Sequence, residues 1–358
     1  VAGCTALILA AYGLKDSISV VVPKQYGEIF NYDTMMNLKY EGTLNEKKNL
    51  KDAINIDKRI KSSMMIKQTL MNGSKANEDK EVQVRLFVPE SLDKFKDYVH
   101  LLDKDTEGNI KLTDDTVVIT EKLAKLLNLS VGDTITVGDD AGTAVDLKIS
   151  SIAENYVYNY VYISEKMYEE KFGEELKVNT VLLKLTEDGK THEDEVAKDW
   201  LKKNDILVVT STSYVISSFE DIISSLNSVV VLMIVCAAAL AFVVLYNLTN
   251  INVAERIREI ATIKVLGFTE KESANYVYRE NIVLSIIGIA VGLVMGIFLS
   301  NYIVSTIEMD IVMFGRSIHG ISFVYAAAFT LVFTLLVNIS MYGKLNNISM
   351  VESLKSVE

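Results

Sequence analysis

Three long stretches without a charged side chain, Leu226 to Thr249, Asn281 to Ile307 and Ser317 to Gly343, occupy most of the last third of the chain. Each is long enough to cross a hydrocarbon core, which takes about 20 mostly apolar residues. Residues 1–14, VAGCTALILAAYGL, are also uncharged, but too few to cross alone. They lack the basic opening of a secretory signal, and read as the outer end of a transmembrane helix whose start is cut away. Between them lies a different texture. Residues 15–225 are rich in charge, and their apolar positions come in short runs.

Within that block the pattern predicts a mixed α/β domain. Val82 to Val88 alternates polar and apolar residues and stops at Pro89, as an exposed strand does. Ile60 to Met71 reads as a longer strand of ambiguous period. Thr120 to Leu127 reads as a short helix, followed by a turn at Val131-Gly132-Asp133 and a strand at Thr134 to Val137. Further strands are expected at Leu147 to Ile152, Tyr158 to Ile163, Asn179 to Leu185 and Ile206 to Val209. A helix is expected at His192 to Lys203, with Val196, Trp200 and Leu201 on one face. Tyr156, Tyr158, Tyr160 and Tyr162 alternate, so a strand would place all four on one face. That face is either aromatic packing between layers or a ligand surface. From Tyr214 the pattern turns helical and continues into the span at 226.

The fold class that follows is an α-helical membrane bundle, three complete spans plus a truncated first, carrying a large mixed α/β extracytoplasmic domain. The expected boundaries are 1–14 (truncated span), 15–220 (outer domain), 221–249 (span), 250–280 (cytoplasmic loop), 281–303 (span), 304–321 (short outer loop), 322–343 (span) and 344–358 (cytoplasmic tail).

Charge sets the orientation. The loop after the second span holds five basic residues, Arg256, Arg258, Lys264, Lys271 and Arg279, and the tail adds Lys344 and Lys355. The loop between the last two spans holds only Arg316, beside Glu308 and Asp310. Lys and Arg favour the cytoplasmic side, so the large domain lies outside. That domain carries nearly all of the net charge of −11, a sign that argues against a nucleic-acid surface.

Two segments stand out inside this layout. In 251–267, Val253, Ile257, Ile260 and Leu266 recur at helical spacing, with Ala261 beside them. Glu255, Arg258, Glu259 and Thr262 lie opposite, and Gly267 is a suitable end. Such a helix rests on a membrane surface or docks in a partner's groove. Its interleaved acids and bases are less basic than a lipid-binding face should be. In the next span, Gly288, Gly292 and Gly296 fall at i, i+4 and i+8, a row that lets another helix approach closely.

Chemistry is sparse. The chain has no GxxxxGK[ST] phosphate loop, no GxSxG elbow, and three scattered histidines, His100, His192 and His319, without ligand spacing. Its two cysteines, Cys4 and Cys236, both lie in apolar segments. No catalytic residue, metal site or cofactor site is expected. The spans contain no Asp, Glu, Lys or Arg, hence no evident ion relay.

REIATIKVLGF after one span, followed by a glycine-rich span, resembles the FtsX/MacB-type permeases of ABC transporters. GCTALILAAYGLKDSI, EKLAKLLNLSVGDTI, ENYVYNYVYIS and the terminal MVESLKSVE are similar to the long FtsX-like permeases of Gram-positive anaerobes. The resemblance implies a multi-pass permease of the bacterial cell membrane in which one span precedes the outer domain and three follow it. ATP and Mg would be bound by a separate ABC ATPase. Arg256, Glu259, Ile260, Lys264, Leu266 and Gly267 would form the coupling helix that meets it. A second permease copy or half, and membrane lipid, would be the other partners. The implied activity is mechanotransmission: ATPase dimerisation moves the coupling helix, and the outer domain then exports or extracts a lipophilic, peptide or lipoprotein substrate. The alternative is a regulatory scaffold that activates an outer partner such as a cell-wall hydrolase.

Overall fold

Backbone groups in apolar surroundings must satisfy one another, so the uncharged runs fold as helices. In the computed structural model the first, α1 (Ala2–Ser19), runs on through a π-helical stretch at Pro23–Ile29. The structure describes residues 1–346 apart from 77, 79, 107, 140, 141, 256–258, 260, 261, 263–265 and 267–269.

The charged block folds around a ten-stranded mixed sheet. Its strands are β1 (Thr34–Gly42), β2 (Ile60–Lys75), β3 (Glu81–Pro89), β4 (Val118–Thr120), β5 (Thr134–Gly138), β6 (Ala144–Lys148), β7 (Ser151–Ala153), β8 (Tyr160–Tyr162), β9 (Val178–Leu185) and β10 (Ile206–Ser211). The order is β10-β1-β9-β2-β3-β8-β4-β7, with β5 pairing β2 and β6. Pairing is antiparallel except at β3/β8 and β4/β7. Helices α2 (Lys48–Ile56), α3 (Leu92–Tyr98), α4 (Glu121–Leu126), α5 (Glu165–Phe172), α6 (Glu187–Thr191) and α7 (Glu193–Leu201) complete it. Met36, Met65, Leu86, Ile119, Val181 and Trp200 lie at the heart of the main core.

The ambiguous period of β2 has a cause in its position. Ser63 to Lys67 are buried without interruption, because β2 lies inside the sheet and is covered on both faces. Strands buried on both sides lose alternation and read as continuous runs.

The remaining helices are α8 (Thr212–Glu255), α9 (Glu270–Ile307) and α10 (Gly320–Asn346). Among the described residues, four segments are long and apolar enough to cross a membrane: Ala2–Ile29, Thr212–Leu248, Ile282–Ile307 and Gly320–Ser340, with mean hydropathies of 1.5, 3.0, 2.8 and 2.1.

Two compact units result. One comprises Val1–Ser19, Ile223–Ile307 and Gly315–Glu358; the other comprises Val20–Ile222 together with Glu308–Phe314. Two expected boundaries therefore shift. α1 does not end at residue 14 and carries Lys15 and Asp16, and the apolar segment Thr212–Leu248 includes Glu220 and Asp221, so the expectation of spans free of ionisable groups fails for both. Asp16 is tolerated because its carboxylate is fully engaged, as described below. The expected short outer loop also does not stand apart: its residues 308–314 pack as part of the sheet unit.

Candidate coupling and packing sites

Of the six residues expected on the coupling helix, Arg256, Ile260, Lys264 and Gly267 lie outside the described residues. Glu259 and Leu266 are described, and both are exposed, Leu266 by 72%. The Leu266 amide donates to the Thr262 carbonyl at 3.1 Å.

The glycine row on α9 faces α1. A Cβ at Gly288 would lie 2.8 Å from Val1 Cβ; at Gly292, 2.6 Å from both Ala2 O and Thr5 Cβ; at Gly296, 2.8 Å from Leu9 Cδ2. Real Cβ atoms do not approach so closely, and at Gly292 the obstacle includes backbone. One helical repeat further on, Ser300 is buried, and here the relation inverts: a Cβ at Gly13 of α1 would collide with Ser300 Oγ. Small residues on both helices thus permit one continuous close approach.

Polar side chains tie α10 to the same pair. Thr5 Oγ1 and Thr330 Oγ1 are 3.0 Å apart, and Thr334 Oγ1 lies 3.2 Å from Ser285 Oγ. Asp16 accepts from Ser322 Oγ at 2.6 Å and from the His319 amide at 3.0 Å through Oδ2, while its Oδ1 faces His319 Nδ1 at 3.0 Å. In apolar surroundings each such cross-helix bond contributes about 0.6 to 2 kcal/mol. These pairings also fix direction. Successive α9 glycines meet successive α1 residues in the same order, so the two run parallel. Ser322 meets Asp16 and Thr330 meets Thr5, so α10 runs against them.

In the sheet unit, the alternating tyrosines do not form one strand face. β8 spans only Tyr160 to Tyr162. Their rings stack at 5.4 Å, and both are buried. Burial pushes both phenols well above their ordinary value. Tyr158, by contrast, has φ +63°, a left-handed conformation that side-chain-bearing residues seldom adopt. A buried amide pair explains it. Asn155 Nδ2 donates to the carbonyls of Val157 and Tyr158, each at 2.8 Å, and Gln25 Oε1 accepts the amides of Tyr156 and Val157 at 2.8 and 3.1 Å. Gln25 Nε2 in turn donates to Asn155 Oδ1 at 3.0 Å. The bend turns the Tyr158 ring out of line and under the Arg85 guanidinium, 3.6 Å from the ring centroid.

The segment 308–314 docks beside this bend. The Tyr158 amide donates to Ile311 O at 2.6 Å, and the Met313 amide to Tyr156 O at 2.8 Å. Glu308 pairs with Lys122 at 3.4 Å, with side chains only 7% and 10% exposed. Sequence reading missed this attachment. Its one signal was a pair of acids, Glu308 and Asp310, in an otherwise short connection.

Residues 231–350 match the family model described as FtsX-like permease C-terminal. Among solved structures, the chain is similar to the periplasmic region of MacB from Actinobacillus actinomycetemcomitans, with 13% identity, a TM-score of 0.36, and coverage of 56% of this chain and 97% of that one. It is also similar to the extracellular domain of the ABC-type transporter YknZ from Gram-positive bacteria, with 13% identity, a TM-score of 0.34, and coverage of 51% of this chain and all of that one (100%). No curated protein matches the sequence.

Proposed function

We propose that this chain, a multi-pass ABC transporter permease subunit with an FtsX-like C-terminal domain at residues 231–350, couples ATP hydrolysis by its separate ATPase to movement of the sheet domain. The excess of Lys and Arg in the loop after α8 and in the tail supports a cytoplasmic place for both, and hence an outer one for the sheet domain.

The observation that carries this reading is the attachment of Glu308–Phe314 to the sheet domain. This short segment connects α9 to α10 along the chain, yet its hydrogen bonds and its buried ion pair lie within the sheet domain. The domain is thereby joined covalently to every membrane helix: α1 leads into it, α8 leads out, and α9 and α10 end and begin at the 308–314 strap. A displacement of α9, whose N-terminal end follows the coupling segment, has a direct route outward. The work would be export or extraction of a lipophilic, peptide or lipoprotein substrate, with ATP and Mg held by the partner ATPase.

The test is site-directed crosslinking of the full chain co-expressed with a candidate ABC ATPase. Cysteine placed at Glu259 or Leu266, in a background lacking Cys4 and Cys236, is expected to crosslink to the ATPase. Absence of any ATPase adduct along residues 250–280 would overturn the reading.

A further inference from the structure

Beside the Tyr158 bend the sheet domain holds a cavity of about 460 Å³, within the size range of small-molecule sites. Six aromatic rings line it: Tyr26, Phe30, Tyr32, Tyr158, Tyr160 and Phe219. They interlock, with centroids 6.4 Å apart for Tyr26 and Phe219, 5.4 Å for Phe30 and Tyr32, and 5.9 Å for Phe30 and Tyr160. Arg85 is the one charged side chain in this wall among the described residues.

Arg85 is half-buried and lies over the Tyr158 ring, and among the described residues no carboxylate pairs with it. A guanidinium keeps its charge at any ordinary pH and has five N–H donors. One aromatic face offsets part of its desolvation and the Tyr160 hydroxyl takes one of its donors, but a ring and one hydroxyl cannot accept all five. Thr212, the first residue of α8, belongs to the same wall, so the positive end of that helix adds to the field of Arg85. The left-handed backbone at Tyr158 points the same way, since such strain gathers where a side chain must be held for a task.

We infer that this cavity binds an amphiphile with a single anionic head, the head meeting Arg85 and the apolar body lying among the rings. The inference stands apart from the coupling reading, because a ligand can occupy the sheet domain whether or not the helices transmit movement.

The test uses the full chain in phosphatidylcholine nanodiscs with radiolabelled dodecyl phosphate as probe, and with laurate, dodecanol and inorganic phosphate as competitors. Saturable binding is expected, displaced by unlabelled dodecyl phosphate and by laurate. Dodecanol lacks the head and inorganic phosphate lacks the body, so neither should displace it at equal concentration. Arg85→Gln should weaken dodecyl phosphate binding about tenfold or more, as loss of a charge-assisted pair does, and Arg85→Lys should weaken it less. Several results would overturn the proposal: equal binding by Arg85→Gln, displacement by inorganic phosphate alone, or uptake that rises linearly with concentration as bilayer partition does. Should Arg85→Gln fail to fold, the competition series on the unsubstituted protein still decides.

Discussion

A side chain at Gly292 has no room, because Ala2 O and Thr5 Cβ would each lie 2.6 Å from its Cβ. Leu at this position forces α9 away from α1, and overpacking of this kind costs about 1 to 3 kcal/mol. Gly292→Leu should therefore cut permease assembly or ATPase stimulation about tenfold, while insertion survives, since Leu is more apolar than Gly. Co-purification yield and ATP turnover read the first effect, and carbonate-resistant membrane association reads the second. Leu293→Ile, one position round the helix, should be mild. A variant that assembles and stimulates normally would show that the close approach is dispensable. The spacing of the glycines was legible in the sequence; their partner was not, because a small-residue row says only that some helix comes close. Asp57 supports a second prediction at this scale. Arg59 donates to both of its carboxylate oxygens, at 3.0 and 2.9 Å, and Trp200 Nε1 donates at 3.1 Å. The Arg59 hydrogen bonds, more than any other cause, hold its carboxyl below the ordinary 3.8. A depressed folded value stabilises the protein above the unfolded pKa and loses that contribution as pH falls through the folded one. Asp57→Asn should thus cost about 2 kcal/mol near neutrality, and the difference should begin to shrink only as pH falls below the ordinary 3.8 and vanish below the depressed folded value. Trp200, the one tryptophan in the chain, reports the melting directly by fluorescence.

At the scale of elements, the strap 308–314 rests on Lys122 and Glu308. Removing one partner of a buried pair strands the other charge, at a cost of about 3 kcal/mol or more. Lys122→Met should therefore lower the thermal midpoint of the full chain. Lys122→Met with Glu308→Gln should recover much of the loss, since Gln can still accept from the Phe314 amide that Glu308 Oε1 accepts at 2.9 Å. An additive double-mutant cycle would mean that the pair contributes nothing through its charges. Local pattern served elements well where one rule acted alone. Val82 to Leu86 alternates and lies in β3, which reaches Pro89, although Leu86 to Pro89 are buried without a break and the strand is not the exposed one expected. The helix expected from Tyr214 begins at Thr212 and runs unbroken into the span. Pattern failed where side chains from distant segments set the backbone. The four alternating tyrosines satisfy the strand rule, yet Gln25, more than a hundred residues earlier, fixes the bend that removes Tyr158 from the strand. The strap was hidden for the same reason, since its partners, Lys122 and Tyr156 to Asn159, lie far off in sequence.

For the whole molecule, the relative directions of three helices follow from their contacts. α1 and α9 run parallel and α10 opposes them, as helices do when a chain crosses a membrane in alternation. The coverage of the spans is uneven. About two thirds of the most apolar α1 window is buried (67%), against 18% for that of α8. α8 turns Ala237 and Ala241 inward and leaves Val231, Leu232, Val235 and Leu240 exposed. We propose that a second permease copy, rather than lipid alone, covers this face. The chain carries its own reporter: Cys236 is exposed on α8, while Cys4 is buried. In a Cys4→Ser background, copper phenanthroline should link two copies through Cys236. Phe298→Cys, exposed on α9, should not link when Cys236 is also replaced by Ser. Dimers from Phe298→Cys alone would move the interface to α9. No dimer from either position, with Cys236 still open to an apolar maleimide, would leave lipid as the occupant of the α8 face.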